Sequence, residues 1–188
     1  MNVLETIKSR RSIRSFKNKA VSGNIMQNIL LMGTKAPSGK NRQPWHFKIL
    51  EGSAKNRLTD LMDEKALTKQ SGSADIGSLQ ISSNAIKEAS AVILVYNRFS
   101  KHEQNYDHYK YLMDTQSIGA AVQNIILAAK AFNLGSLWIC DIFQCDKEIS
   151  EWLSEPNELM AAVAIGYPNQ KPYERPKIAL NELTEWIK

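Results

Sequence analysis

Six residues near the N-terminus combine side chains that bind phosphate. The stretch Ser9-Arg10-Arg11-Ser12-Ile13-Arg14 holds three arginines and two serines. The planar guanidinium of arginine donates paired hydrogen bonds to phosphate oxygens, and serine hydroxyls with free backbone N–H groups can complete such a cradle. A solvated charged face has the same composition, so the stretch by itself leaves both interpretations open.

A second polar stretch lies between a helix end and a strand. It runs Ala36-Pro37-Ser38-Gly39-Lys40-Asn41-Arg42-Gln43-Pro44-Trp45-His46-Phe47. A turn of small residues exposes backbone N–H and C=O groups beside polar side chains, an arrangement that can bind the edge of a heteroaromatic ring. In isolation it is also compatible with an ordinary helix–strand connection.

The charge of the chain is unevenly distributed. The net charge is +5, but residues 1–50 hold ten Lys/Arg and one acid, Glu5, whereas the rest holds fourteen Lys/Arg and eighteen acids. A basic N-terminal quarter attracts phosphates, either of a nucleic acid or of a small cofactor.

Helices and strands must position these two stretches, and their order is not a regular βαβ alternation. Apolar periodicity and capping residues predict helices begun by Ser22, Ser53 and Asp146 and a long helix over 115–133. Continuous apolar runs predict buried strands at 45–50, 91–96, 136–140 and 159–165. Residues 68–84 resemble a loop or a mobile element, and residues 98–111 a lid or a surface helix. The order predicts an α+β sheet with helices on both faces.

Several classes of protein are disfavoured. No run of eighteen apolar residues or signal-peptide core occurs, so a cytoplasmic protein without membrane contact is expected. Cys140 and Cys145 are too few for a disulfide framework, and the three scattered histidines form no zinc pattern. Neither a dinucleotide-binding G-x-G-x-x-G nor a P-loop motif is present.

Together the two stretches resemble the nitroreductase family. In that family an R-x-S-x-[RK] segment is followed about twenty-five residues later by P-S-x-x-N-x-Q-P-W, here Arg10–Arg14 and Pro37–Trp45. The resemblance covers nearly the whole chain except 52–112. It continues through Gln123-Asn124, Leu134-Gly135-Ser136, Trp138-Ile139, Ala164-Ile165-Gly166-Tyr167-Pro168 and Arg175.

The resemblance implies a fold, an assembly and a cofactor. The fold is α+β, with three α/β/α layers around a mixed, mainly antiparallel sheet, and residues 1–188 form one domain. The assembly is a homodimer with one FMN in each of two clefts at the subunit interface. No metal or nucleic acid is implied.

The resemblance also assigns residues to the flavin. The phosphate and ribityl group are assigned to the segment of Arg10, Arg11 and Ser12 and to Arg175, with Arg14 near the pyrimidine edge. The other subunit gives ring-edge contacts from Pro37, Ser38, Gly39 and Asn41. A backbone amide of Trp138, Ile139, Cys140 and Asp141 lies against flavin N5. Two departures stand out. Some members have an acidic residue followed by glycine where this chain has Cys140-Asp141. Some members also have two basic residues near the position of Arg175. In this chain Tyr173 occupies the earlier of those positions, and Lys177 could substitute for it.

The implied activity is hydride transfer from NADH or NADPH through FMN to a nitroaromatic, a quinone or another flat acceptor, by ping-pong kinetics. No side chain is expected to act as nucleophile or general base. Alternatives are another reductive reaction on the same fold, such as an ene-reductase or dehalogenase-like one, or a flavin- or nucleic-acid-binding module without turnover. The sequence chooses neither the physiological acceptor nor the nicotinamide.

Overall fold

A central antiparallel sheet organises the structure, a computed structural model that describes residues 2–69 and 76–188. The helices are α1 Val3–Ser9, α2 Gly23–Gly33, α3 Gly52–Lys69, α4 Ile76–Glu88, α5 His108–Ala131, α6 Asp146–Leu153 and α7 Leu180–Leu183. The strands are β1 Trp45–Leu50, β2 Ala91–Asn97, β3 Gly135–Ile139 and β4 Glu158–Gly166. Their order in the sheet is β1-β2-β4-β3, and each neighbouring pair is antiparallel.

Both faces of the sheet are covered, as the continuous apolar run of β2 predicts. All seven residues of β2 are buried, and successive side chains alternate between two hydrophobic cores. Val92, Leu94 and Tyr96 pack with α3, α4 and α6. Ile93 and Val95 pack with α2 and α5 on the opposite face. The predicted α+β fold with three layers is therefore confirmed.

Several predicted elements agree closely with the structure. β1 has the predicted bounds. Ser22 caps α2, where its hydroxyl accepts a hydrogen bond from the backbone N–H of Ile25 at 3.4 Å. The only parallel pairing among the described residues is an isolated bridge between Ser12 and Ser136, which adds the arginine segment to the outer edge of β3.

Other predicted boundaries are wrong. Residues 68–84 are predicted as a loop or a mobile element, but residues 68–69 end α3 and residues 76–84 belong to α4. Residues 70–75 lie outside the described residues. The long helix starts at His108, seven residues before the predicted start. Ser53 lies inside α3, and Asp146 is the first residue of α6 instead of its cap. Within the described part of the chain, no helix has the length and apolar content needed to cross a membrane.

Candidate functional site

A cavity of about 650 Å³ gathers most of the predicted phosphate ligands. We call it the basic cavity. Six basic side chains line it against one acid, Glu174. The basic residues are Lys8, Arg10, Arg11, Arg14, Arg175 and Lys177. Its polar lining also includes Ser12, Gln123, Gln170 and Tyr173. The fold thus joins the N-terminal segment to Arg175, more than 160 residues away, and places Lys177 on the same wall.

The arginine segment is held in place by backbone pairing and one apolar side chain. The backbone N–H of Ile13 donates to the Ser136 carbonyl at 3.0 Å, and the Ile13 side chain is buried over Gly135. In an extended segment, every second side chain points to the same side. With Ile13 packed inward, Ser12 and Arg14 are left to line the basic cavity.

The arginines of the cavity differ in what they already bind. Arg11 pairs with Glu174 at 2.6 Å and donates to the carbonyls of Lys8 and Arg10 at 2.5 and 2.9 Å. In contrast, no partner among residues 2–69 and 76–188 forms an ion pair with the other five basic side chains, those of Lys8, Arg10, Arg14, Arg175 and Lys177. Arg11 therefore ties α1 to the 174 segment, and the other five cations are available to an anion.

Gly135 is required for this arrangement, which makes its replacement a direct test. A Cβ at Gly135 would lie 2.8–3.0 Å from Cγ1, Cβ and Cγ2 of Ile13. Because Cβ is fixed to the backbone, no rotamer of Ile13 removes the clash. Such overpacking costs roughly 1–3 kcal/mol. We expect Gly135→Ala to lower the free energy of unfolding by that amount in a denaturant titration.

Gly23→Ala is the matched control, since a Cβ there has nothing within 4 Å. Ile13→Ala combined with Gly135→Ala should destabilise by less than the sum of the two single changes. If Gly135→Ala were as stable as Gly23→Ala, the described docking of the arginine segment on β3 would be wrong.

The predicted ring-edge segment lies in a different cavity of the same chain. Pro37, Ser38 and Gly39 line a space of about 590 Å³ with residues of the first half of α5. We call it the α5 cavity, and its α5 residues are Tyr109, Leu112, Met113, Gln116, Ser117 and Ala120. A Cβ at Gly39 would lie 2.1 Å from Sδ of Met113, so the segment packs closely on α5. Asn41 follows on an exposed, left-handed turn with φ of 55°.

Residues 138–141 occupy the end of β3 and the 3₁₀ turn after it, and none of them lines either cavity. Trp138 is partly exposed and reaches towards Gly119 of α5, and Ile139 is buried. Burial raises the pKa of the Cys140 thiol, as does the neighbouring Asp141. The Asp141 carboxylate accepts hydrogen bonds from the hydroxyls of Ser78 and Ser82 at 3.2 and 2.8 Å, which ties this turn to α4.

A network of ionic and polar groups beside the α5 cavity is absent from the sequence-based prediction. Arg42 donates to both carboxylate oxygens of Asp114, through Nε at 3.0 Å and Nη2 at 3.1 Å. It also pairs with Glu103 at 2.5 Å, and Glu103 pairs with Lys110 at 2.6 Å. These two cations lower the pKa of Glu103 to about 2. Tyr106 donates its hydroxyl to Asp114 at 3.0 Å.

One signal of this network is present in the sequence. Asp114 lies four residues before Ile118 and seven before Ala121, on the buried face of α5. A carboxylate on an apolar helical face requires a cationic partner, because an unpaired buried charge is very unfavourable. The sequence does not specify which of the many cations that partner is.

Comparisons with known proteins identify the family of the chain. Residues 7–167 match the model of the nitroreductase family. The chain is 28% identical over 186 residues to the Escherichia coli protein named "Putative NAD(P)H nitroreductase YdjA", covering 92% of this chain and 98% of that one.

Solved structures show the same fold. A "putative nitroreductase in complex with FMN" from Desulfovibrio desulfuricans is 29% identical, with a TM-score of 0.78 over 100% of this chain and 98% of the other. The Vibrio harveyi NADPH:FMN oxidoreductase complexed with NAD+ has a TM-score of 0.82 over 100% of this chain and 78% of its own, and at 20% identity it supports the fold alone.

Proposed function

Since this chain belongs to the nitroreductase family, we propose that it is an FMN-dependent oxidoreductase that passes hydride from NADH or NADPH to a nitroaromatic, a quinone or a similar flat acceptor. The observation that carries the proposal is the basic cavity, where five cations without an ion-pair partner among the described residues line one space together with Ser12. The FMN-bound relative from Desulfovibrio desulfuricans supports the choice of cofactor.

The donor set of the basic cavity fits the phosphate monoester of FMN. A phosphate dianion presents oxygens that accept charge-assisted hydrogen bonds, and Arg10, Arg175 and Lys177 offer the donors from two distant segments. Ser12 adds a hydroxyl on the same wall. Arg11, already paired with Glu174, would hold the lining of the cavity together.

Bound FMN would supply the hydride chemistry, and the protein would supply binding, orientation and electrostatics. Arg14 would stabilise negative charge at the pyrimidine edge of the ring. Pro37, Ser38, Gly39 and Asn41 would bind the ring edge, and a backbone amide in 138–141 would face N5. Leu112 and Met113 give the α5 cavity an apolar wall beside the exposed ring of Tyr109, which suits a flat acceptor. Donor and acceptor would use this face in turn, giving ping-pong kinetics.

A homodimer would bring the two cavities together. Gln116 and Ala120 line the α5 cavity and Gln123 lines the basic cavity, so both open on one face of α5. In an isologous dimer, a two-fold axis crossing this face near Gly119 sets the Gln116 end of one helix against the Gln123 end of the other. The basic cavity of each subunit would then meet the ring-edge segment of its partner, and one FMN would span both.

The first test of the proposed function is the colour of the purified protein. The purified protein should be yellow, and the chromophore released on denaturation should be FMN. Oxidation of NADH and NADPH should then be followed with a panel of quinones and nitroaromatics. FMN without turnover would support a flavin-binding module, and a colourless protein that takes up no added FMN would contradict the proposal.

The assignment of Arg14 to flavin electronics predicts a lower redox potential when its charge is removed. The reduced flavin carries more negative charge than the oxidised one, so a guanidinium near the ring favours reduction. Arg14→Gln keeps some hydrogen bonding and removes the charge. For a two-electron couple about 30 mV corresponds to roughly 1.4 kcal/mol, so we expect a drop of several tens of millivolts, with a smaller change in affinity for oxidised FMN.

A dye-equilibrated redox titration of wild type and variant measures this shift. An unchanged potential with greatly weakened FMN binding would move Arg14 from the ring to the phosphate. If neither quantity changed, Arg14 would lie outside the site.

A further inference from the structure

The turn that follows Gly39 has an unfavourable backbone. Lys40, Asn41 and Gln43 have φ angles of 52°, 55° and 48°, in the left-handed region. In this region the Cβ of an L-residue crowds the backbone, and Lys and Gln lack the short amide that makes Asn tolerant of it. Such a conformation persists where the surrounding structure holds it in place.

Bonds inside the turn do not attach it to the rest of the protein. The N–H of Asn41 donates to the Ser38 carbonyl at 2.9 Å, and the N–H of Gln43 donates to the Ser38 hydroxyl at 3.0 Å. Both bonds move with the segment. A long contact of 3.4 Å joins the N–H of Gly39 to the Ser117 hydroxyl on α5.

Arg42 provides the firm attachment. Its side chain forms the two-pronged pair with Asp114, which is fully buried on α5, and a second pair with Glu103. Its Cζ lies 4.5 Å from the centre of the Phe99 ring. A planar fork between two carboxylates and over a ring allows little freedom of rotation or translation. Arg42 stands between Asn41 and Gln43, so fixing it fixes the left-handed residues on both sides.

We propose that Arg42 is a positioning residue, whose pairing with Asp114 holds the turn Lys40–Gln43 in the shape that presents the Pro37–Asn41 segment to its ligand. The identity of that ligand, the flavin ring, rests on the function proposed above. The anchoring itself rests on the contacts of Arg42.

Amide hydrogen exchange tests the anchoring without any flavin. In Arg42→Met, exchange of the N–H groups of Arg42 and Gln43 should rise by about tenfold or more, because the segment opens locally once the fork is lost. Amides of β2 should keep their wild-type rates. Arg98→Met is the matched control. The Cζ of Arg98 lies 5.8 Å from the centre of the same Phe99 ring, and its side chain forms no ion pair with any described residue.

The same variants should distinguish the positioning of the flavin ring from the binding of the FMN phosphate. Arg42→Met should shift the visible absorption band of bound FMN and reduce the quenching of its fluorescence, while Arg42→Lys restores part of both. Affinity for inorganic phosphate should stay at the wild-type value, because the basic cavity is unchanged. If the wild type bound no FMN, the proposed function would fail, and hydrogen exchange would still decide the role of Arg42.

Loss of Arg42 alone leaves Asp114 buried without its cation, so the single variant could unfold. The double variant Arg42→Met with Asp114→Leu removes both charges and should fold with the turn still released. Unchanged exchange at Arg42 and Gln43 in the folded variants would overturn the proposal. An equal rise at every amide, β2 included, would overturn it as well, because it would show a general loss of stability.

Discussion

Replacing Arg10 with alanine should weaken FMN binding by about ten- to a hundredfold. Arg10, at the end of α1, lines the basic cavity together with Arg175, and no acid in the described ranges pairs with it. A hydrogen bond to a charged group contributes roughly 1.5–3 kcal/mol, and every 1.4 kcal/mol changes a dissociation constant about tenfold. Titration of apoprotein with FMN, followed by flavin fluorescence, measures the loss.

Variants of Arg57 and Arg11 serve as controls for the Arg10→Ala result. Among the described residues, the ion pair of Arg57 on α3 is a 3.9 Å surface pair with Glu64. Because Arg57 lies outside the basic cavity, Arg57→Ala should leave FMN affinity unchanged. Arg11→Ala should have a smaller effect than Arg10→Ala, because Glu174 already neutralises Arg11. Unchanged affinity in Arg10→Ala would show that the N-terminal segment does not bind the phosphate.

Removing residues 183–188 should impair dimer assembly and the FMN sites with it. Leu183, Trp186 and Ile187 are 64%, 87% and 91% exposed in the single chain, so they contribute little to its folding. Large exposed apolar side chains at the end of a chain indicate a covering partner. Burying each one contributes roughly 1.5–3 kcal/mol, and both tails of a homodimer would contribute.

Sedimentation velocity over a range of concentrations should show a dimer for the full chain and a large shift towards monomer after truncation. Removal of Lys188 alone is the control, because it keeps the apolar side chains. A full-length protein that stays monomeric, yellow and active would contradict the proposed assembly.

The sequence predicts the parts of this fold in which local preference and burial agree. Two examples are β2, a continuous apolar run that is buried on both faces of the sheet, and the Ser22 cap of α2. The clustering of Arg10, Ser12 and Arg14 with Arg175 agrees with what the resemblance implies, because it assigns both segments to the same phosphate.

The sequence fails where distant contacts decide the structure. The Ser- and Gly-rich stretch 68–84 is predicted as a loop or a mobile element, yet its part from residue 76 onward is helical. There Ser82 donates to Asp141, and Ser83 donates to Asp63 at 2.6 Å. These partners satisfy hydroxyls that would otherwise compete with the helix backbone. The anchor of Arg42 on Asp114 likewise joins residues 72 positions apart, and neither residue alone specifies the other.

The pairing of the arginine segment with β3 also affects the tendency of the protein to aggregate. β3 is the last strand of the sheet, and its outer edge would offer backbone groups to a strand from another molecule. Ser12 and Ile13 occupy part of that edge by pairing with Ser136. Further along, the N–H of Lys17 donates to the carbonyl of Tyr167, the residue after β4, at 2.8 Å. The segment proposed to hold the phosphate therefore also covers part of an aggregation-prone edge.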